Sequence, residues 1–249
     1  MLAGMSGSKI DVKTHDGTAD AYLALPDDGQ PRHGVLLLMD AFGLRDVIEE
    51  MADRIAARGY AVLAPNLFYR AGRAPLFEMP DLSTDEARGA FFAQLRPLMD
   101  ALTADRVAAD GEAYLDALAE HAPEPAAITG YCMGARLGLR IAAAHPERVA
   151  ALGGFHGGRM VTDEPDSPHR SAGQIRAEVY FGHADNDQSN TPEQIRALDE
   201  ALEQAGVKHR SDVYEGAAHG YTMPDTAAYD ADAAERHYRE LFALLDRAF

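Results

Sequence analysis

Cys132 is the single cysteine of a 249-residue chain, and it sits in Gly130-Tyr131-Cys132-Met133-Gly134. A β-like run, residues 125–129, precedes it, and a helix-like run, residues 133–144, follows. Small residues two before and two after a nucleophile let a strand turn tightly into a helix. The turn lifts the side chain clear and leaves the helix N-terminus beneath it. A helix N-terminus and a neighbouring imidazolium both favour thiolate over thiol. Lone cysteines are most often small buried hydrophobes, but strand, Gly-x-Cys-x-Gly and amphipathic helix in this order point to a reagent. No Gly-x-Ser-x-Gly competes with it.

A cysteine nucleophile needs a base to take its proton and an acid to hold that base. His219 follows a β-like run, residues 209–214, through Glu215-Gly216-Ala217-Ala218, and Asp185 follows Val179-Tyr180-Phe181-Gly182-His183-Ala184. Asp187 could accept the same hydrogen bond from the imidazole, or simply form a turn. His156 and His183 belong to no His-x-x-x-His or His-Glu-x-x-His spacing, so no metal site is expected. Gly153-Gly154-Phe155-His156-Gly157-Gly158 lacks both the dinucleotide spacing and a P-loop lysine, so it reads as loop and no cofactor is expected.

The elements that must position these residues alternate in type. Strand-like stretches fall at 9–12, 19–25, 35–39, 60–65, 125–129, 149–155, 177–181 and 209–214. Helical spacing links Val47, Ile48, Met51 and Ile55, and further helices are expected at 85–96, 98–118, 133–144 and 192–205. Tyr238, Leu241, Phe242 and Leu245 mark a last amphipathic helix. This alternation predicts an α/β fold, with a mostly parallel central sheet, helices on both faces, and functional groups at the carboxyl ends of strands. Residues 66–84 are irregular over a length that is usually functional, and are expected to wall the substrate site.

The length suits one domain, taken as residues 1–249, without repeats or linkers. One cysteine excludes an internal disulfide framework and every multi-cysteine metal site. A formal charge of −17 argues against nucleic acid as a partner. The apolar run at 34–39 is too short to span a bilayer, and no basic segment precedes an apolar one at the start. The reading is therefore no membrane partner and a cytoplasmic location. A small molecule is the expected partner, and the oligomeric state is not legible.

Three pieces in order, Gly130-Tyr131-Cys132-Met133-Gly134, Tyr180-Phe181-Gly182-His183-Ala184-Asp185 and Tyr214-Glu215-Gly216-Ala217-Ala218-His219-Gly220-Tyr221, resemble the dienelactone hydrolase family of α/β-hydrolases. The resemblance spans nearly the whole chain. It implies the α/β-hydrolase fold and a Cys132, Asp185, His219 triad, with Asp187 left as a turn former. It also implies hydrolysis of an ester or lactone through a thioester, with the backbone N–H groups of Met133 and Ala41 as the oxyanion hole. Asp40, in Met39-Asp40-Ala41-Phe42-Gly43, takes the place of a family Glu that modulates the resting thiol. Substrate contacts fall to Tyr131 and to Arg70, the latter as a carboxylate-binding arginine. Relatives carry a second such arginine shortly after the histidine, where this chain has Gly220-Tyr221-Thr222-Met223-Pro224, so the demand for an acidic substrate is expected to relax. The other readings are a redox-sensing or a non-catalytic relative, although no second cysteine is present to resolve an oxidised thiol.

Overall fold

The structure is a computed structural model that describes residues 7–79, 82 and 84–249; residues 80, 81 and 83 of the irregular segment fall outside it. Eight strands make one sheet: β1 (Ser8–Thr14), β2 (Gly17–Ala24), β3 (Gly34–Leu38), β4 (Ala61–Pro65), β5 (Ala126–Tyr131), β6 (Val149–Phe155), β7 (Glu178–Ala184) and β8 (His209–Tyr214). Their spatial order is β1-β2-β4-β3-β5-β6-β7-β8. β1 and β2 pair antiparallel, as do β2 and β4, and every other pair is parallel. Every residue of β3, β4 and β5 is buried, which is why these strands read as apolar runs rather than alternations.

Six α-helices accompany the sheet: α1 (Asp46–Ala56), α2 (Asp85–Asp100), α3 (Ala104–Ala119), α4 (Met133–Ala144), α5 (Pro192–Gln204) and α6 (Ala231–Ala248). Successive residues of β6 show the two faces. Leu152 lies against Gly138 of α4, whereas Gly153 lies against Leu241 and Leu244 of α6. Side chains of adjacent strand residues point to opposite faces, so α4 and α6 cover opposite sides. α1 joins α6 through the Arg54–Glu235 pair at 2.7 Å, and α3 packs its Gly111 on Ile141 of α4.

Strand ends move by up to three residues, and the largest change is at one helix boundary. The sequence reading broke the helices at Pro97, but α2 runs through it to Asp100, and the break falls at residues 101–103. Pro97 forgoes its own N–H bond and crowds the carbonyl of residue 93, yet the helix continues for three more residues beyond it. The new start is set by Thr103, whose side chain accepts from Arg106 N at 3.4 Å. A short 3₁₀ helix at Pro168–Gln174 was not expected. Among the described residues no helix is long and apolar enough to cross a membrane.

The elbow rests on two close approaches. A Cβ on Gly130 would overlap the carbonyl of Gly134, and one on Gly134 would overlap the carbonyl of Leu38 at the end of β3. Both obstacles are backbone and cannot rotate away. Gly134→Ala is therefore expected to destabilise the fold by about 3 kcal/mol. Gly173→Ala, whose Cβ would meet nothing within 4 Å, should stay within about 0.5 kcal/mol of the parent. Urea denaturation of the two variants provides the comparison, and equal midpoints would show that α4 can back away from β3.

Candidate active site

β5 ends at Tyr131 and α4 begins at Met133, so Cys132 alone makes the turn, with φ 52° and ψ −110°. Positive φ at a non-glycine residue costs about 1–3 kcal/mol and persists only where the surroundings impose it. Here they do: Cys132 N–H donates to the Phe155 carbonyl at 3.0 Å, and the flanking glycines hold α4 against β3.

The loop after β8 brings His219 over the sulfur, with Nε2 3.0 Å from Sγ. On the other side of the ring, Nδ1 lies 2.6 Å from Oδ2 of Asp187. This corrects the assignment of Asp185. Asp185 is the first residue past β7; its N–H donates to the Ala217 carbonyl at 2.8 Å, and its carboxylate accepts from Gly216 N at 3.0 Å. It therefore ties the exit of β7 to the loop after β8. Asn186 then adopts φ 54°, a conformation that asparagine tolerates well, and this turn swings Asp187 inward to the imidazole. Asp187 is 9% exposed. Its other oxygen accepts from Ser189 N at 2.8 Å and from Ser189 Oγ at 2.7 Å. Asn190 anchors the loop by donating to His183 Nδ1 at 3.0 Å.

Burial disfavours a charged imidazole, but the Cys132 sulfur and Asp187 outweigh it and push His219 up to about 11. Burial also acts to raise the Asp187 carboxyl, yet the His219 and Ser189 hydrogen bonds hold it below the ordinary range.

Cys132, His219 and Asp187 open onto a cavity of about 540 Å³, together with Asp40, Ala41, Phe42, Phe92, Met133, Arg136, His156, Arg159 and Met223. The backbone N–H groups of Ala41 and Met133 donate to no partner among the described residues. Of segment 66–84, only Leu82 lines this cavity among the described residues. The wall expected there is supplied largely by Arg88 and Phe92 of α2.

Three other expected site residues are engaged elsewhere. Asp40 borders the cavity, but its two oxygens receive Arg45 at 2.8 and 3.0 Å, and Oδ1 also accepts Phe42 N at 2.9 Å. The buried carboxylate thus faces a guanidinium and shapes the Ala41 loop; it is not hydrogen-bonded to the thiol. Arg70 binds Asp110 with two hydrogen bonds, 2.7 and 2.9 Å, and Asp16 with a third at 2.9 Å, and lies outside the cavity lining. Asp110 is 4% exposed on α3 and needs that cation. Tyr131 is fully buried under the elbow, with its hydroxyl 2.9 Å from His237 Nε2 and its ring beside Phe155.

Ser189 and Arg136 were passed over by the sequence reading, which weighed His156 only as a metal ligand and set it aside. His156 has φ 38°, meets the His219 ring edge-on at 5.3 Å, and bonds Thr222 Oγ1 through Nε2 at 2.7 Å. Burial drives its pKa far below the ordinary value, so it stays neutral. Thr222 occupies the stretch where relatives were expected to place an arginine. Among the described residues no group of three or more His, Cys, Asp or Glu side chains is arranged to hold a metal ion.

The sequence model of the dienelactone hydrolase family matches residues 19–249. A provisionally named carboxymethylenebutenolidase of Methylorubrum extorquens is 27% identical over 243 residues, covering 96% of this chain and 80% of its own. The carboxymethylenebutenolidase of Rhodococcus opacus is 26% identical over 217 residues, 87% of this chain and 81% of its own. In structure, a provisionally named dienelactone hydrolase from Klebsiella pneumoniae superposes with a TM-score of 0.83 at 22% identity, over 96% of this chain and 97% of its own. With the α/β-hydrolase fold already drawn by the sheet order and the elbow, the chain belongs to the dienelactone hydrolase family and is a hydrolase.

Proposed function

We propose that this hydrolase cleaves a lactone or activated carboxylic ester through a thioester on Cys132, with His219 as acid and base and Asp187 as its orienting carboxylate. The observation that carries the reading is the unbroken line Cys132–His219–Asp187, at 3.0 and 2.6 Å, opening on one cavity with two unpartnered amides. In this mechanism His219 already holds the proton given up by the Cys132 thiol, and the thiolate adds to the substrate carbonyl. The negative oxygen of the tetrahedral adduct is met by the Met133 and Ala41 N–H groups, each such donor being worth about 3–4 kcal/mol in the transition state. His219 then protonates the leaving alkoxide or enolate, and afterwards activates the water that cleaves the thioester. Because thiolate is itself a good leaving group, the adduct reverts unless the other group leaves at least as well. Enol lactones and activated esters are favoured over amides for that reason.

Cys132→Ala, assayed under reducing conditions on a dienelactone and on a p-nitrophenyl ester, should lose both activities; retained turnover would remove the cysteine from the mechanism. Asp187→Asn should lower kcat by about 10³–10⁴, because the amide favours the wrong imidazole tautomer. Asp185→Asn keeps an acceptor for Gly216 N and should change kcat little. The reverse order of the two losses would restore Asp185 as the acid.

The raised pKa of His219 has a signed consequence. Its folded-state value near 11 exceeds the ordinary 6.5, so its contribution to stability is complete below pH 6.5 and is lost as pH rises toward 11. Urea midpoints between pH 7 and 10.5 should fall in the parent and fall less steeply in His219→Gln. Parallel lines would show that His219 does not hold the extra proton.

A further inference from the structure

Among the described residues, the arginines that are not exposed are neutralised by a carboxylate, with one exception. Five described arginines that are not exposed reach a carboxylate: Arg45 on Asp40, Arg70 on Asp110, Arg140 on Asp166, Arg148 on Asp116 and Arg236 on Asp212, all within 3.1 Å. Arg136 is also half-buried, yet its guanidinium has no hydrogen bond and no ion pair among the described residues. It lies one helical turn after Cys132 on α4 and lines the same cavity. Arg159, on the loop after β6, lines that cavity too and has no ion pair among the described residues. Its backbone is pinned at φ 56° by an N–H bond to the Ser189 carbonyl at 2.8 Å.

Leaving a guanidinium half-buried and unpaired is costly, and the cost is removed when an anion arrives. Burial holds the Arg136 guanidinium below its ordinary range; the Cys132 sulfur opposes that shift, Arg159 and Arg140 add to it, and Asp100 at the end of α2 opposes it least, without pairing with the guanidinium. The two carboxylates bordering the cavity cannot supply the counter-charge, since Asp40 is held by Arg45 and Asp187 by His219. The pocket thus concentrates positive charge inside a protein of net charge −17, and a cleft of one sign draws in the opposite ion.

We infer that Arg136, assisted by Arg159, forms a carboxylate-binding subsite that selects esters or lactones bearing a second, acidic group. This rests on the Cys132 reading above. It places the anion contact on α4 and the loop after β6, away from Arg70, which is held by Asp110 and Asp16, and away from the segment after His219, where Thr222 bonds His156. Arg136 would orient the substrate by its remote end, so its loss should fall on substrates that carry the charge.

The test compares p-nitrophenyl hydrogen glutarate with p-nitrophenyl valerate, which have acyl chains of the same length with and without the carboxylate. The parent should prefer the glutarate in kcat/KM by about tenfold or more, as expected for one charge-assisted contact, and the preference should shrink with added salt. Arg136→Met should erase the ratio, Arg136→Lys should restore part of it, and Arg159→Gln should reduce it. Arg239→Gln, an exposed charge change on α6, should leave it unchanged. Equal losses on both esters in Arg136→Met would put Arg136 on the nucleophile and overturn the subsite, as would a parent ratio near one. A second readout avoids turnover and so separates this proposal from the mechanism. Glutarate should raise the melting temperature of Cys132→Ala and not that of Cys132→Ala/Arg136→Met. No shift in the single variant would sink the subsite even if Cys132 proves to be the nucleophile.

Discussion

The contact on which the site depends is the absence of a side chain at Gly134. Because nothing projects from it, the first turn of α4 lies directly on the carbonyl end of β3. Two consequences follow from that one approach. The N-terminus of α4, with its free Met133 amide, comes beside the loop that follows β3, with its free Ala41 amide. The same pressure confines Cys132 to a positive φ, which no cysteine adopts unaided. The proposed nucleophile and the two proposed oxyanion donors are therefore placed by one backbone contact and not by separate loops.

A second level of order comes from the way charges are distributed. Asp40, Arg45 and Asp225 form a chain, with Arg45 Nε 2.6 Å from Asp225. It joins the loop after β3, the start of α1 and the segment beyond His219. Asp110 of α3 holds Arg70 and Tyr69 of the segment after β4. Asp40, Asp110 and Asp187 are each matched to a cationic side chain, whereas buried Asp20 is held by Asn66 Nδ2 at 3.0 Å and Ala74 N at 2.8 Å. Against that background the unmatched guanidinium of Arg136, one helical turn from Cys132, is informative in a way that an exposed one is not.

Much of this was legible in the residues. Gly-x-Cys-x-Gly between an apolar strand and a helix with stripe Met133, Leu137, Ile141 leaves few alternatives, and α4, β6 and β8 fall where periodicity put them. Which carboxylate meets His219 was not legible, since Asp185 and Asp187 differ only in a backbone turn. The single positive φ at Asn186 decides which carboxylate reaches His219. The engagement of Arg70 was hidden for a similar reason. Its partner, Asp110, lies 40 positions along the chain in a helix whose spacing marks it merely as an inward position. Tyr131 follows from geometry once the elbow is drawn: the residue before the nucleophile is the last of a buried strand, and its side chain lies beneath the turn.

Asp40 shows why a shorter side chain need not be a lost function. A carboxylate at this place in the fold has two neighbours to choose between, the thiol and the loop's own backbone. In this chain it accepts Phe42 N and two guanidinium bonds, so the loop that presents Ala41 is held from inside by a charge-assisted network. Arg45 carries that constraint onward to Asp225, five residues before α6 begins its cap at Asp230. His219 lies six residues before Asp225 on the same segment. The histidine loop and the Ala41 loop are thereby braced against each other by one arginine, and the Cys132 site keeps its geometry without any acidic group touching the sulfur.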